Sequence, residues 1–324
     1  MNVLVVGFGS IGRRHAQTLA GMDEIGTVFV LTSQKPEEIH GGKVSFIKPP
    51  DLSHATLSEY LGGRNVTAAL VTNETSKHIQ TSLALARAGL HLFIEKPLSH
   101  SVSGASDLRE IVRKNRLKVL VGYNLRFLRA INSLKDLLNE RAIGDPYFVR
   151  IEVGYSLPLW RPERDYRTQY SASSAKGGGV ALDLSHELDY MRYLFGQPQS
   201  WKVVRTKVSS LEIDTDDVFE GIYQYKSGLI CSVHMDYLQP QKRRHIRIVG
   251  SRGVVECDLQ GKFLKVAAEG CEEVNNEDEA LFDVPATYLE EMRHFIATVQ
   301  GLETPLVTLE DGMQVLQLLE DAGV

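Results

Sequence analysis

Along the first 121 residues, short apolar runs alternate with stretches whose apolar positions recur every three or four residues. The runs Val3–Val6, Thr27–Leu31, Val66–Val71, His91–Ile94 and Lys118–Val121 have the length and apolar density of buried strands. Between them, Ser10–Ala20, Thr75–Ala88 and Ser103–Asn115 read as helices; in the second, Ile79, Leu83 and Ala86 share one face and Gly89 stops the run. Helices set regularly between apolar strands demand parallel crossovers, so this half predicts a doubly wound parallel sheet.

After residue 121 the pattern changes. Leu125–Asn139 reads as a helix and Tyr147–Gly154 as a strand. A long irregular segment, Ser156–Lys176, leads to one helix behind three glycines. Lys202–Ser209, Val218–Tyr225, Leu229–Asp236, His245–Val249 and Val254–Asp258 then follow without helices between them. That order predicts an α+β domain built on a large, open, mostly antiparallel sheet with helices on one side. The acidic stretch Glu272–Glu279 reads as a solvated loop, and helices over Ala286–Gln300 and Leu309–Glu320 close the chain. In Leu229–Asp236 one face carries Leu229, Cys231, Val233 and Met235; the other carries Ile230, Ser232, His234 and Asp236. Apolar residues on that second face predict a homodimer or homotetramer formed through the C-terminal sheet.

At roughly 150 residues per domain, 324 residues suit two domains. A net charge of −5 and the lack of a basic tract speak against nucleic acid. No apolar run approaches the roughly 20 residues of a membrane span, and the start has no positively charged leader, so a cytoplasmic protein is expected. Cys231, Cys257 and Cys271 fit no metal spacing, and no metal is expected.

Gly7-Phe8-Gly9-Ser10-Ile11-Gly12 follows the first strand and opens the first helix. In such a loop the first glycine permits the tight turn, the second lets the backbone approach a pyrophosphate, and the third lets helix and sheet pack closely. The anion then meets the helix N-terminus. Residues 1–121 are thus expected to form a dinucleotide-binding Rossmann domain, and 122–324 a substrate-binding and oligomerisation domain whose last helices pack back on the first. An acid at the end of the second strand would bind the ribose 2′-hydroxyl. Here Val28–Leu31 ends in Thr32-Ser33-Gln34-Lys35, with no carboxylate. Hydroxyls and Lys35, with help from Arg13 or Arg14, suit a 2′-phosphate, so NADP(H) is favoured and NAD(H) possible. The plainer reading is that Thr32 and Ser33 only form the turn.

The fifth strand ends in Glu95-Lys96-Pro97, which puts a lysine at the carboxyl edge of a parallel sheet, where ligands bind. Pro97 restricts the backbone of that lysine and is compatible with a cis peptide. Further on, Gly177-Gly178-Gly179 releases a helix carrying Asp183, His186 and Asp189. Its apolar stripe is Leu184, Leu188, Met191 and Phe195, and Asp183 stands where an N-cap is wanted.

Together these pieces resemble the Gfo/Idh/MocA family, the glucose–fructose oxidoreductase and inositol dehydrogenase group. The resemblance runs through Gly7–Gly12, Thr72-Asn73 with His78, Glu95-Lys96-Pro97, Gly122-Tyr-Asn124-Leu-Arg126-Phe and Gly177 to Asp189. It implies a carbohydrate-like substrate and catalytic roles for Lys96, His186 and the preceding aspartate. It also implies cofactor contacts from the glycine loop, Thr72, Asn73, His78, Glu95 and Lys96. The family usually sets three residues between that aspartate and the histidine; here only Leu184-Ser185 intervene, which puts the role of Asp183 in question. In the chemistry implied, hydride passes between nicotinamide and a carbinol or ketone carbon while Lys96 and His186 handle the proton on its oxygen.

Substrate contacts are expected from Asn124, Arg126 and Asp189, and from the arm Ser156–Lys176 through Trp160, Arg161, Tyr166 and Arg167. The arm carries four positive and two negative charges in an acidic protein. Aromatic rings suit sugar faces and guanidinium forks suit phosphate or carboxylate, so an anionic sugar derivative is expected. Alternatives are a glycoside hydrolase of the same family that retains its NAD, and a cofactor-sensing regulator without activity. A metal enzyme on Asp183, His186 and Asp189 matches no recognised ligand set.

Overall fold

The computed structural model describes residues 1–35, 39, 42–47, 57 and 61–320. The chain divides into two compact units, Met1–Tyr123 with Tyr288–Leu316, and Asn124–Thr287 with Gln317–Val324.

The first unit contains β1 (Asn2–Val6), α1 (Ser10–Ala20), β2 (Val28–Leu31), β3 (Val44–Ile47), β4 (Val66–Val71), α2 (His78–Arg87), β5 (His91–Glu95), α3 (Ala105–Lys114) and β6 (Val119–Gly122). The six strands are all parallel, in the order β3-β2-β1-β4-β5-β6. The direction of winding reverses between β1 and β4, the switch point beside which such sheets bind ligands at their carboxyl edge. Val3, Val5, Leu70, Phe93 and Leu120 pack with Ala16 and Leu19 of α1 and with Met292, Phe295 and Ile296 of the helix Val284–Val299. Strand β3 was not expected. It is a four-residue edge strand in which only Ile47 is buried, so it shows neither an apolar run nor an alternation.

The second unit contains α4 (Arg129–Asn139), β7 (Pro146–Gly154), α5 (Leu157–Trp160), α6 (Val180–Asp183), α7 (His186–Phe195), β8 (Ser200–Thr206), β9 (Val218–Gln224), β10 (Ile230–Asp236), β11 (Arg243–Gly250), β12 (Gly253–Asp258), β13 (Phe263–Ala268) and β14 (Val274–Asn276). The closing helices α8 (Val284–Val299) and α9 (Leu309–Leu318) belong for most of their length to the first unit. The eight strands run β14-β13-β12-β11-β7-β10-β9-β8, antiparallel except for the central β7–β10 pair. The alternation expected in β10 holds: Cys231, Val233 and Met235 are buried, and Ile230 is 45% exposed. Val204, Ile222 and Phe148, which share the face of Ile230 by register, are exposed as well.

Two expectations need correction. The acidic stretch is not all loop, because Val274–Asn276 adds an edge strand and Glu279–Phe282 a 3₁₀ turn. Asp183 does not cap the helix after the glycines. That helix is broken into α6 and α7, Asp183 ends the first piece, and Ser185 precedes the second. The cap on α6 comes from Asp216, whose Oδ2 accepts the Ala181 N–H at 2.9 Å. Gly179, at φ +119°, lets the chain pass so close to Asp216 that a Cβ would lie 2.6 Å from its Oδ1.

Candidate active site

In the first unit each glycine of the loop has a different physical job. Gly7 has φ +102°, and a Cβ there would lie 2.7 Å from the Asn73 backbone nitrogen. A Cβ at Gly12 would lie 2.4 Å from the Gly7 carbonyl oxygen and 2.6 Å from the Thr72 hydroxyl. At Gly9 a Cβ would meet nothing within 4 Å. Gly7 and Gly12 therefore serve the turn and the packing, whereas Gly9 opens on free space. Helix α1 starts with no side-chain cap and no acid in its first turn, so its leading N–H groups and positive dipole end suit an anion. Ser10 is exposed and Ile11 half-buried beside it, while Phe8 is buried edge-on against Phe46, with the Arg13 guanidinium 5.2 Å over its ring.

The loop is braced from β4. The Thr72 hydroxyl donates to the Val6 and Gly7 carbonyls at 3.1 and 3.0 Å. Asn73 donates through Nδ2 to Thr81, while its buried Oδ1 has no hydrogen-bond partner among the described residues. His78 places Nδ1 2.9 Å from the Pro97 carbonyl and Nε2 3.1 Å from the Asn73 carbonyl, which ties the ends of β4 and β5 together. Its burial drives its pKa below the usual histidine value, outweighing the pull of those two carbonyls. The Lys96–Pro97 peptide is cis, and Lys96 is half-buried. Glu95 is buried, and its carboxylate accepts the Lys96 N–H at 3.0 Å and meets His15 Nε2 at 2.5 Å.

Beyond β2, the Thr32 hydroxyl accepts the Gln34 N–H at 3.1 Å, so Thr32 does form the turn, and Ser33 and Lys35 are exposed. These residues, with uncapped α1, open Gly9 and the orphaned Asn73 Oδ1, fit a dinucleotide: the loop and helix for its phosphates, the β2 end for its ribose.

In the second unit, Asp183 is buried, and its Oδ2 accepts the Tyr237 hydroxyl at 2.6 Å. The Tyr170 hydroxyl is also hydrogen-bonded to Asp183. Burial, with the Asp183 charge second, holds both phenols well above their usual pKa, so they remain donors. His186 is half-buried at the first position of α7. Trp160 lies edge-on to Tyr237 at 5.2 Å and donates its indole N–H to the Tyr155 carbonyl. Arg161 donates to the neutral amide oxygen of Gln169, and the Tyr166 hydroxyl accepts the Glu212 N–H.

Several residues expected to contact substrate are committed to one another. Arg126 and Asp189 form a buried fork at 2.7–3.2 Å, 5% and 1% exposed. The Arg126 guanidinium also lies 5.2 Å over the Tyr193 ring, and Asn124 donates to Thr287 at 2.6 Å. Arg167 is gripped by Asp165 and Glu212, which raise its pKa further. Sequence reasoning missed His15, Tyr237 and Asp216. His15 is hidden in a polar Arg-Arg-His run that reads as an exposed helix face, and the other two act through contacts far along the chain. Among the described residues no group of three or more His, Cys, Asp or Glu is arranged to hold a metal, and no helix is long and apolar enough to cross a membrane.

Residues 1–123 match the family model described as "Oxidoreductase family, NAD-binding Rossmann fold", and residues 135–322 match "Oxidoreductase family, C-terminal alpha/beta domain". The chain belongs to the Gfo/Idh/MocA oxidoreductase family, and the members similar to it include dehydrogenases and a reductase. It is 26% identical to the myo-inositol 2-dehydrogenase of Thermotoga maritima, over 98% of this chain and 94% of that one. In fold it resembles a levoglucosan dehydrogenase solved with NADH, at TM-score 0.82 and 18% identity, covering 98% of this chain and 95% of that one. It also resembles the WlbA dehydrogenase of Bordetella pertussis solved with NADH and UDP-GlcNAcA, at TM-score 0.82 and 18% identity, over 98% of this chain and 93% of that one.

Proposed function

We propose that this chain is a dehydrogenase or reductase that uses NADP(H) in preference to NAD(H) and acts on a hydroxyl or keto carbon of an anionic sugar derivative. The observation that carries the redox reading is the glycine loop: open space at Gly9, an uncapped helix N-terminus behind it, and a lysine directly after β5 of the same sheet. A bound nicotinamide supplies or accepts the hydride. Lys96 polarises the substrate oxygen, and Lys96 and His186 handle its proton. Glu95 holds the backbone from which Lys96 projects. Asp183, set by two phenols, is the third member of the proton-handling group.

The cofactor preference rests on the missing acid after β2 and on exposed Ser33 and Lys35. The substrate charge falls to Arg161, because Arg167 is already neutralised by two carboxylates. Self-association rests on the exposed apolar residues of the sheet face that carries Ile230, and light scattering that finds only monomer at micromolar concentration removes it.

The test is turnover of NADP(H) and NAD(H) with myo-inositol, glucose, glucuronate, glucose 6-phosphate and a UDP-linked sugar acid. An acidic sugar turning over fastest with NADP(H), and Ser33→Asp reversing the cofactor preference, is the expected result. A neutral polyol with NAD(H) as the best pair removes the finer reading.

A further inference from the structure

The sequence motifs do not account for His15. It lies on α1, the helix that begins at the glycine loop, and is fully buried. Its Nε2 is 2.5 Å from Glu95 Oε1, and the second oxygen of that carboxylate accepts the Lys96 N–H. Its Nδ1 is buried with no partner among the described residues. A carboxylate oxygen only accepts, so Nε2 is the donor in the contact with Glu95. The ring is fixed by edge contacts with Phe93 at 5.1 Å and Tyr288 at 6.1 Å. Space for the carboxylate is kept at Gly122, where a Cβ would lie 3.3 Å from it.

A buried carboxylate needs more than one donor to offset its desolvation, and this one takes its donors from two elements. One is the helix expected to face the phosphates, and the other is the end of the strand that presents Lys96. We infer that His15 is a positioning residue which, through Glu95, locks helix α1 to the Lys96 end of β5 and so sets the dinucleotide site as one piece. The lock acts without contact, since no atom of His15 is open to a ligand. It rests on the reading of this unit as the dinucleotide site.

Two variants separate the lock from simple core packing. His15→Gln keeps an N–H donor for Glu95, and His15→Leu fills space without one. NADPH affinity is read from the change in NADPH fluorescence on titration, alongside a thermal melt of each protein. The expected result is at least about a ten-fold weaker NADPH affinity in His15→Leu and a loss within about three-fold in His15→Gln, in the range of one hydrogen bond to a charged group. If His15→Leu does not fold, Glu95→Gln serves in its place. It keeps the side-chain shape but loses one of the two acceptors, and weaker NADPH binding is again expected. An affinity unchanged within two-fold in the folded variants, with only a lower melting temperature, makes His15 a packing residue and overturns the inference alone. A parent protein that binds neither NADPH nor NADH overturns the inference together with the reading beneath it.

Discussion

The fork between Arg126 and Asp189 can be tested as a structural pair. Three hydrogen bonds of 2.7–3.2 Å join the two groups, and neither is more than 5% exposed. Removing one partner strands the other in the core, which typically costs about 3–5 kcal/mol. Replacing both by apolar residues of similar volume removes the attraction and the desolvation cost together, and is often close to neutral. Arg126→Met should also relieve Lys135, whose pKa is lowered by burial and then by the Arg126 charge; its ammonium lies 3.5 Å from the Tyr193 ring centroid. At about 2–4 °C per kcal/mol for a domain of this size, Arg126→Met and Asp189→Leu should each lower the melting temperature by about 6–20 °C. The double variant should recover most of that loss. Calorimetry with a double-mutant cycle measures it. If each single variant melts within about 2 °C of the parent while KM for the turned-over sugar rises, the pair is a substrate contact and the reasoning fails.

Three further outcomes are expected. Gly9→Ala should fold normally, whereas Gly12→Ala should be destabilised by more than about 1 kcal/mol because its Cβ collides with backbone, and a urea melt of each decides it. His234 is held up to about 9, first by Asp236 and then, against its burial, by Glu220, so the stability it contributes is full below about pH 6.5 and lost as the pH rises to 9. That loss should be about 1 kcal/mol for a partly exposed pair, and a His234→Gln variant whose stability falls equally over that window refutes it. Asp216→Ala should cost about 1–2 kcal/mol through the α6 cap, while Asp183→Asn should lower kcat with a small change in melting temperature; the reverse pattern would return the cap to Asp183.

The features legible in the sequence were those whose cause is local. Gly7 and Gly12 show themselves because only glycine tolerates the turn and the approach of Thr72, and the apolar runs of β1, β4 and β5 are long enough to stand out. The edge strands β3 and β14 are short and barely buried, so neither hydrophobic period marks them. Long-range pairing in the site is what the sequence could not show. Arg126 and Arg167 look like free anion ligands until Asp189, Asp165 and Glu212 are seen to hold them. Asp183 follows a glycine run and so looks like a cap, but Asp216 arrives from beyond β8 to fill that place and leaves Asp183 to Tyr237 and Tyr170. His15 reads as one more polar residue of an exposed face because nothing near it in the chain announces Glu95.

The central claim is hydride transfer with Lys96 handling the substrate oxygen, and kcat of Lys96→Ala tests it most directly. The measurement pairs steady-state rates, on the sugar turned over fastest by the parent, with NADPH affinity by fluorescence. A positioned acid–base group typically contributes about 10²–10⁴-fold in rate, so kcat should fall by at least about 10²-fold with cofactor affinity largely kept. A Lys96→Ala protein with near-parental kcat would contradict the account.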